Sequence, residues 1–307
     1  MTPPIAAIVG PTASGKTELA LAVARLLPVE ILVADSRQVY RGMDLGTAKP
    51  DAGARSAVAH HLLDLVEPDE PFTVADWVRL ARHLIPEVWE RSRLPLVVGG
   101  TGLYVSALVD GFALAGQPGS PQLRHELAAA LEADGLPQLA GQLAALDPDA
   151  AARIDLQNPR RVLRALERAQ AAGGQAPPPA TRPWRGRLTL LGIGRPKAIL
   201  DRRIEERARF MFANGLLDEV RRLSDRGFSP ELPPMSGHGY REALHVLAGE
   251  WSVEQAVEVT ARHTRQYAKR QITWFRRDQR IVWLAVGEGS AAALAPQAVE
   301  RLRSLLS

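Results

Sequence analysis

Apolar positions in the first hundred residues form short unbroken runs separated by longer stretches with helical spacing. Ile5 to Val9 is one such run, ending in Gly10. Ile31 to Ala34 is a second, ending at Asp35, and Pro95 to Val98 is a third that runs into Gly99-Gly100-Thr101. Between them, Glu18 to Leu27 reads as an Ala/Leu helix. Val74 to Arg91 reads as another, through Val78, Leu80, Leu84, Ile85 and Val88. Fully apolar strands alternating with helices predict an α/β fold whose parallel sheet is covered on both faces. Ligands of such sheets lie beyond the carboxyl ends of the strands, where Gly10, Asp35 and Thr101 all fall.

The pattern changes at about residue 118. Leu123 to Leu131 and Leu136 to Leu146 are Ala-rich helical segments, Asn158 to Ala171 is a third with a basic face, and Gly173 to Pro183 reads as a loop. No strand pattern interrupts them. Leu188 to Ile193 then resumes the strand signal, followed by helices over Arg202 to Asn214, Leu216 to Asp225 and Val253 to Phe275. A short last strand, Ile281 to Leu284, is expected to close the sheet edge. The expected organisation is a core of residues 1–117 and 185–307, with an all-helical insertion at 118–184.

Composition narrows this reading without redirecting it. With 307 residues, 46% hydrophobic and 23% charged, the chain can bury a sizeable core, and disordered or fibrous classes are excluded. Its apolar runs are too short to span a bilayer, and no basic segment followed by an apolar stretch opens it, so a soluble cytoplasmic protein is expected. The lack of cysteine rules out disulfides, thiol catalysis and Cys-ligated zinc. Basic residues exceed acidic ones by only four, yet the pI is near 9.7. Only four of the bases are lysine, namely Lys16, Lys49, Lys197 and Lys269. Arginine and alanine richness of this kind fits GC-rich coding, so local clusters of charge, rather than the total, carry any argument for a polyanionic partner.

The sharpest motif is Gly10-Pro-Thr-Ala-Ser-Gly-Lys-Thr17, a G-x-x-x-x-G-K-[ST] phosphate loop between a predicted strand and a predicted helix. Small residues there let successive backbone N–H groups face phosphate oxygens at a helix N-terminus. Lys16 adds positive charge at the terminal phosphates, and the Thr17 hydroxyl can ligate Mg²⁺. The loop specifies a di- or triphosphate but not a reaction. A hydrolase of this class carries an acidic residue at the end of a buried strand, whereas the third strand reads Leu-Pro-Leu-Val-Val-Gly-Gly-Thr. Asp35 could fill that role, which demotes hydrolysis without excluding it.

Asp35 opens Asp35-Ser-Arg-Gln-Val-Tyr40. A carboxylate at that strand end can hold a hydrated metal, or accept a proton or hydrogen bond from an amine or hydroxyl; the alternative is a turn or cap aspartate. Thr101 can reach a phosphate oxygen or cap the next helix, and both roles can coexist. From Arg262 to Arg280 the bases Arg262, Arg265, Lys269, Arg270, Arg276, Arg277 and Arg280 face one acid, Asp278. Arg262, Arg265, Lys269 and Arg276 lie near one helical face. Val253, Val257, Ala261, Ala268 and Ile272 lean to the other. Pro159-Arg160-Arg161 with Arg164 and Arg168 forms a second basic helix. Two basic helices flanking one phosphate loop favour a polyanionic partner. The adjacent pair His60-His61 reads as structural.

These segments together resemble the tRNA dimethylallyltransferase (tRNA isopentenyltransferase) family. The matching pieces are Gly10 to Thr17, Asp35 to Tyr40, Gly46-Thr-Ala-Lys-Pro50, Gly99-Gly-Thr-Gly-Leu-Tyr104, Gly237-His-Gly-Tyr-Arg-Glu242 and Ala268-Lys-Arg-Gln-Ile-Thr-Trp-Phe275, in family order over most of the chain. The resemblance implies a P-loop NTPase-like core with a helical tRNA-binding insertion. It implies transfer of a dimethylallyl group from its diphosphate to N6 of the adenosine 3′ of the anticodon. It further implies that Lys16, Arg207, Thr101 and Asp35 carry catalysis, Asp35 accepting from the N6 amine. Gly10, Thr12, Ala13, Ser14, Gly15, Lys16 and Thr17 would hold the diphosphate without ATP, with Mg²⁺ on Thr17. Contact with the tRNA anticodon stem-loop is implied for Asp35, Ser36, Arg37, Gln38, Thr101, Arg124, Gln157, Asn158, Pro159, Arg160 and Arg161, and for Gly237, His238, Gly239, Tyr240, Arg241 and Glu242. A monomer with no membrane partner is expected. Three alternatives stay open at this point: an adenylate isopentenyltransferase acting on free nucleotides, a small-molecule phosphotransferase or NTPase, and an RNA-binding protein with a vestigial loop.

Overall fold

A computed structural model describes residues 2–112, 121–176 and 181–306. The chain divides into two compact units, 1–109 with 184–307 and the intervening 110–183. The expected boundary at 117/118 falls outside the described residues. In the first unit the elements run β1 (Ile5–Val9), α1 (Lys16–Ala24), β2 (Val29–Ala34), α2 (Ala52–Ala57), β3 (His60–His61), α3 (Val74–Glu90), β4 (Leu94–Gly99) and α4 (Gly102–Val109). The second unit holds α5 (Pro121–Leu146), α6 (Pro148–Arg153) and α7 (Pro159–Ala171). The first unit resumes with β5 (Leu188–Gly194), α8 (Lys197–Ala213), α9 (Leu216–Asp225), α10 (Tyr240–Leu247), α11 (Val253–Phe275), β6 (Ile281–Ala285) and α12 (Ala295–Leu302).

The six strands form one parallel sheet in the order β3-β2-β4-β1-β5-β6. The alternation of β1 divides the core in two. Ile5, Ala7 and Val9 join Trp77, Ile85, Leu108, Val220 and Phe275 on one face, the side of α3, α4, α9 and α11. Ala6 and Ile8 join Leu19, Val23, Ala298 and Leu302 on the other, the side of α1 and α12. Both faces being covered explains why β1, β2 and β4 are apolar at nearly every position. Trp77, fully buried on α3, donates its indole N–H to the Val33 carbonyl at 2.9 Å and stacks on Tyr104.

Six of the described elements, β3, α2, α4, α6, α10 and α12, escape the hydrophobic pattern. The two histidines form β3, an edge strand rather than part of a helix, with His61 Nε2 2.7 Å from Glu30. α4, α10 and α12 are each eight residues long, too short to show two clear turns of periodicity. The face assigned to α11 holds at Val257, Ala261, Ala268 and Ile272 and fails at Val253. Val253 is exposed, and the buried strip is Ala256, Thr260, Ala261, Thr264, Ala268, Gln271 and Phe275.

The helical unit packs around Leu127, Leu139, Leu143, Val162 and Leu166. Its first two predicted helices form one run broken at Gly135, where φ is +78°. Asp147, 1% exposed, accepts from Ala150 N at 2.9 Å and Ala176 N at 3.1 Å, so one buried carboxylate both starts α6 and holds the returning chain.

At Gly99 the close approach of β4 and β2 leaves no room for a side chain. A Cβ there would lie 2.0 Å from the Ala34 carbonyl oxygen, a backbone atom that cannot step aside. Gly99→Ala is therefore expected to cost about 3 kcal/mol, at the upper end of overpacking penalties. Urea unfolding should show a lower midpoint at an unchanged slope, and an unshifted midpoint would contradict the packing described.

Candidate active site

The phosphate loop leaves β1 at Gly10 and enters α1 at Lys16. Gly15 has φ +100°, and a Cβ there would sit 2.6 Å from the Ala291 Cβ, so both backbone and space require glycine. The first turn of α1 leaves its N–H groups without intrahelical partners. The loop carbonyls, in contrast, are held from outside. Arg203 Nε donates to Ala13 O at 3.0 Å, Arg195 Nε to Ser14 O at 2.9 Å, and Lys16 Nζ to Pro11 O at 2.7 Å. Carbonyls pinned outward leave the amides facing inward, the arrangement an anion needs. Thr12 is an exception to the expected cradle, because its N–H is committed to Gln271 Oε1 at 2.8 Å. Ser14 Oγ is buried with no hydrogen-bond partner among the described residues, so a phosphate oxygen in the loop could use it.

A cleft of about 240 Å³ opens over the loop, lined on its charged side by Lys16, Thr17, Asp35, Arg203 and Arg207. Ile31, Val33, Val98 and Pro50 supply apolar wall, and His60, read from sequence as structural, also lines it. Burial lowers Lys16 to about 8, opposed by Asp35 and reinforced by Arg207. Arg207 makes no hydrogen bond within the described residues, and burial lowers it too, with Asp35 opposing. Arg195 and Arg203 carry no signal of their own in the sequence, since Arg is common throughout; only the contacts reveal them.

Asp35 satisfies both readings allowed by the sequence. Its Oδ1 accepts from Arg37 N at 2.8 Å and Gln38 N at 3.4 Å, closing a turn, while Oδ2 accepts nothing in the described residues. Thr101 does not cap α4 with its side chain. Its Oγ1 accepts from Ser36 N at 3.1 Å and shares a hydrogen bond with the Tyr267 hydroxyl. Tyr267, which the sequence reading passed over, is pushed up to about 12 by burial and so stays protonated. Asp35, Ser36, Thr101 and Tyr267 are thus brought together at the ends of β2 and β4.

The other residues expected to touch a nucleic acid divide into exposed and internal. Arg37 donates to Pro233 O at 2.5 Å, and Gln38 Nε2 to Thr47 O at 3.0 Å. Tyr240, 1% exposed, donates to Glu219 Oε1 at 2.6 Å. Glu242, fully buried, accepts from Gly239 N at 2.7 Å and lies 3.0 Å from His263 Nδ1. These two side chains hold the Gly237–Gly239 turn from inside and cannot meet a macromolecule directly. Burial lowers His238 to about 4, leaving its ring neutral beside Tyr267 and His263. Arg241 remains exposed. In the helical unit, Asn158 caps α7 by accepting from Arg161 N at 3.3 Å, Pro159 takes the first helical position, and Gln157, Arg160 and Arg161 are exposed. Arg124 pairs with Glu167 at 3.0 Å.

For a metal, the described residues hold no group of three or more His, Asp or Glu ligands. The cleft offers the Thr17 hydroxyl and the Asp35 carboxylate. One or two oxygens completed by phosphate and water suit Mg²⁺, which rarely uses an all-protein cage.

Comparison with known proteins gives a consistent picture. A family model described as IPP transferase matches residues 38–278, and one described as isopentenyl transferase matches 3–58. The chain is 48% identical over 284 residues to a tRNA dimethylallyltransferase of Anaeromyxobacter dehalogenans, covering 91% of this chain and 93% of that one. It is 43% identical over 282 residues to that of Heliobacterium modesticaldum, covering 91% and 88%. The crystal structure of a tRNA isopentenylpyrophosphate transferase from Bacillus halodurans superposes with a TM-score of 0.74 at 38% identity, covering 100% of this chain and 97% of that one.

The loop's charge depends on Lys16 holding its proton. Affinity for inorganic diphosphate, measured by calorimetry, should fall as pH rises through about 8, with proton uptake on binding above that value because the anion restores the ammonium. Lys16→Met is expected to weaken binding about 100-fold and to flatten the fall near pH 8. A pH profile parallel to that of the unaltered protein would remove Lys16 from the site.

Proposed function

The chain belongs to the IPP transferase family, that of the tRNA dimethylallyltransferases, and on that premise we propose how its cleft transfers a dimethylallyl group from dimethylallyl diphosphate to N6 of the adenosine 3′ of a tRNA anticodon. The observation that carries the assignment is a cleft that brings together two cations outside any ion pair among the described residues, Lys16 and Arg207, and a half-used carboxylate, Asp35. Lys16, Arg207 and the amides of Ala13 and of Gly15 to Thr17 meet the diphosphate. Asp35 Oδ2 faces the same space with no partner of its own.

In the reaction the bond between the allylic carbon and the diphosphate oxygen breaks, and a bond from that carbon to adenine N6 forms. Negative charge gathers on the leaving diphosphate, where Lys16, Arg207 and the loop amides already point. Such prearranged donors usually supply the largest part of catalysis. The N6 amine is a poor nucleophile because its lone pair is delocalised into the ring. Asp35 Oδ2 is placed to accept the N6 hydrogen bond and then the proton, orienting the lone pair toward the carbon. Thr101, held by Ser36 and Tyr267, presents its hydroxyl beside that carboxylate. Thr17 would hold Mg²⁺, which supplies countercharge to the diphosphate when bound. The apolar wall of Ile31, Val33 and Val98 suits a five-carbon chain.

The adenine must leave its stack to reach a strand-end cleft, at a cost of a few kcal/mol, which a partly unpaired anticodon loop reduces. Exposed bases on α11 (Arg262, Lys269, Arg276) and on α7 (Arg160, Arg161) supply phosphate contacts. One chain contributes every reacting group, so the enzyme works as a monomer. No helix among the described residues is long and apolar enough to cross a membrane, and the reaction belongs in the cytoplasm with its tRNA.

Incubation with unmodified tRNA, dimethylallyl diphosphate and Mg²⁺ should yield N6-(dimethylallyl)adenosine by nucleoside mass spectrometry. Product on free AMP alone would move the chain to the adenylate transferases. Asp35→Asn keeps the turn contacts of Oδ1 but removes the proton acceptor. Its kcat should fall about 10³-fold, within the usual range for a general base, while tRNA affinity by filter binding stays within a factor of about three. Full activity in that variant would refute the role of Asp35.

A further inference from the structure

One side chain ties together the two halves of this cleft, and no chemistry described so far assigns it a role. Gln271 lies on α11, 6% exposed. Its Oε1 accepts from Thr12 N at 2.8 Å in the phosphate loop, and its Nε2 donates to Gly100 O at 2.8 Å at the end of β4. Both ends of the amide are committed, so its orientation is determined, since a flipped amide would set donor against donor and acceptor against acceptor. The neighbourhood is cut to fit it. A Cβ on Gly100 would sit 2.3 Å from Gln271 Nε2.

The bond sits within a longer stripe. Tyr267, one turn before Gln271, meets Thr101. Trp274, nearly one turn after, donates to Ser106 Oγ at 3.1 Å and occupies the space a Cβ on Gly102 would need. Residues 267, 271 and 274 share one helical face and contact the Gly99–Ser106 segment in step. Only Gln271 also reaches the phosphate loop.

We propose that Gln271 is a positioning residue for the transfer reaction, setting the distance between the diphosphate cradle and the Asp35–Thr101 arm that receives the adenine. This rests on the reading of the loop as the diphosphate site. Through Thr12 it keeps one loop amide out of the anion set, so that the remaining amides converge. Through Gly100 it holds the strand end whose next residue, Thr101, bonds Ser36 beside Asp35. Reacting atoms about an ångström out of place cost on the order of 100-fold in rate, so a brace that touches no substrate still governs turnover.

Two variants test this. Gln271→Met keeps length and volume but makes neither bond. Its kcat should fall at least tenfold and its KM for dimethylallyl diphosphate rise about tenfold. The KM for tRNA and the thermal midpoint should stay near wild type. Gln271→Glu offers a sharper readout. As a carboxylate it faces the Gly100 carbonyl with a second acceptor and adds negative charge beside the loop. Once protonated it accepts from Thr12 and donates to Gly100, as glutamine does. Activity of Gln271→Glu relative to wild type should therefore climb as pH falls from 8 to 5, with inorganic diphosphate affinity climbing in parallel. Unchanged kcat and KM in the methionine variant, or a glutamate variant whose pH profile runs parallel to wild type, would overturn the proposal. If the methionine variant fails to fold, the pH profile decides. If wild-type protein forms no prenylated nucleoside, it is the assignment of function that fails. The diphosphate affinities of the two variants then still decide for or against the brace.

Discussion

A loop in which several backbone amides face one point is unfavourable on its own, because the carbonyls between them must point away and find partners elsewhere. Here those partners come largely from far along the chain. Arg195 follows β5 and Arg203 sits on α8, and their guanidinium groups donate to the Ser14 and Ala13 carbonyls, while Gln271 on α11 accepts from the Thr12 N–H. The motif at the N-terminus therefore acquires its shape only when the C-terminal half of the first unit docks. The local sequence permits the loop, and the distant guanidinium and amide groups impose it.

The same groups set the electrostatics. Arg203 is balanced by Glu18 at 2.5 Å, and Arg195 spends its guanidinium on carbonyls of Ser14 and Gly289. Arg207 and Lys16 are left facing the cleft. Assembling two such cations out of full contact with water costs free energy, visible in the depressed Lys16. An anion with two phosphoryl groups offsets that cost. The single carboxylate nearby does not neutralise the pair, since half of it closes the turn from Asp35 to Gln38. One aspartate thus gives its first oxygen to the fold and leaves its second without a partner among the described residues.

How far the sequence alone reveals this depends on the range of the interaction. β1, β2, β4 and β5 are legible because burial on both faces erases polar positions, and Gly10 to Thr17 is legible because the loop's chemistry restricts each residue. β3 is hidden because two histidines at a sheet edge have no apolar pattern. Thr12 lines the cleft, but its N–H turns to Gln271, which spacing cannot reveal because it does not tell which way an amide points. Tyr240 and Glu242 looked like contact residues by their motif, yet the motif exists partly because Tyr240 must reach Glu219, which in turn accepts from Leu45 N at 2.7 Å. A conspicuous segment can serve the packing of another segment as readily as it serves a ligand.

The buried strip of α11 carries the most physical content. A helix packed on a flat sheet can use branched apolar residues, as Val257 and Ile272 do at the margin of this strip. A helix that must approach strand-end loops closely cannot, because those loops present unpaired carbonyls and amides as well as carbon. The strip that solves this is small or polar: Ala261, Thr264, Ala268 and Gln271. The opposite face keeps Arg262, Lys269 and Arg276 in solvent. At 23 residues, or about 34 Å, α11 is a single rigid element that touches the phosphate loop, the end of β4 and bulk solvent at once. Its exposed basic face and its buried strip are thereby referred to the same rod, so registration between the two does not depend on a flexible linker.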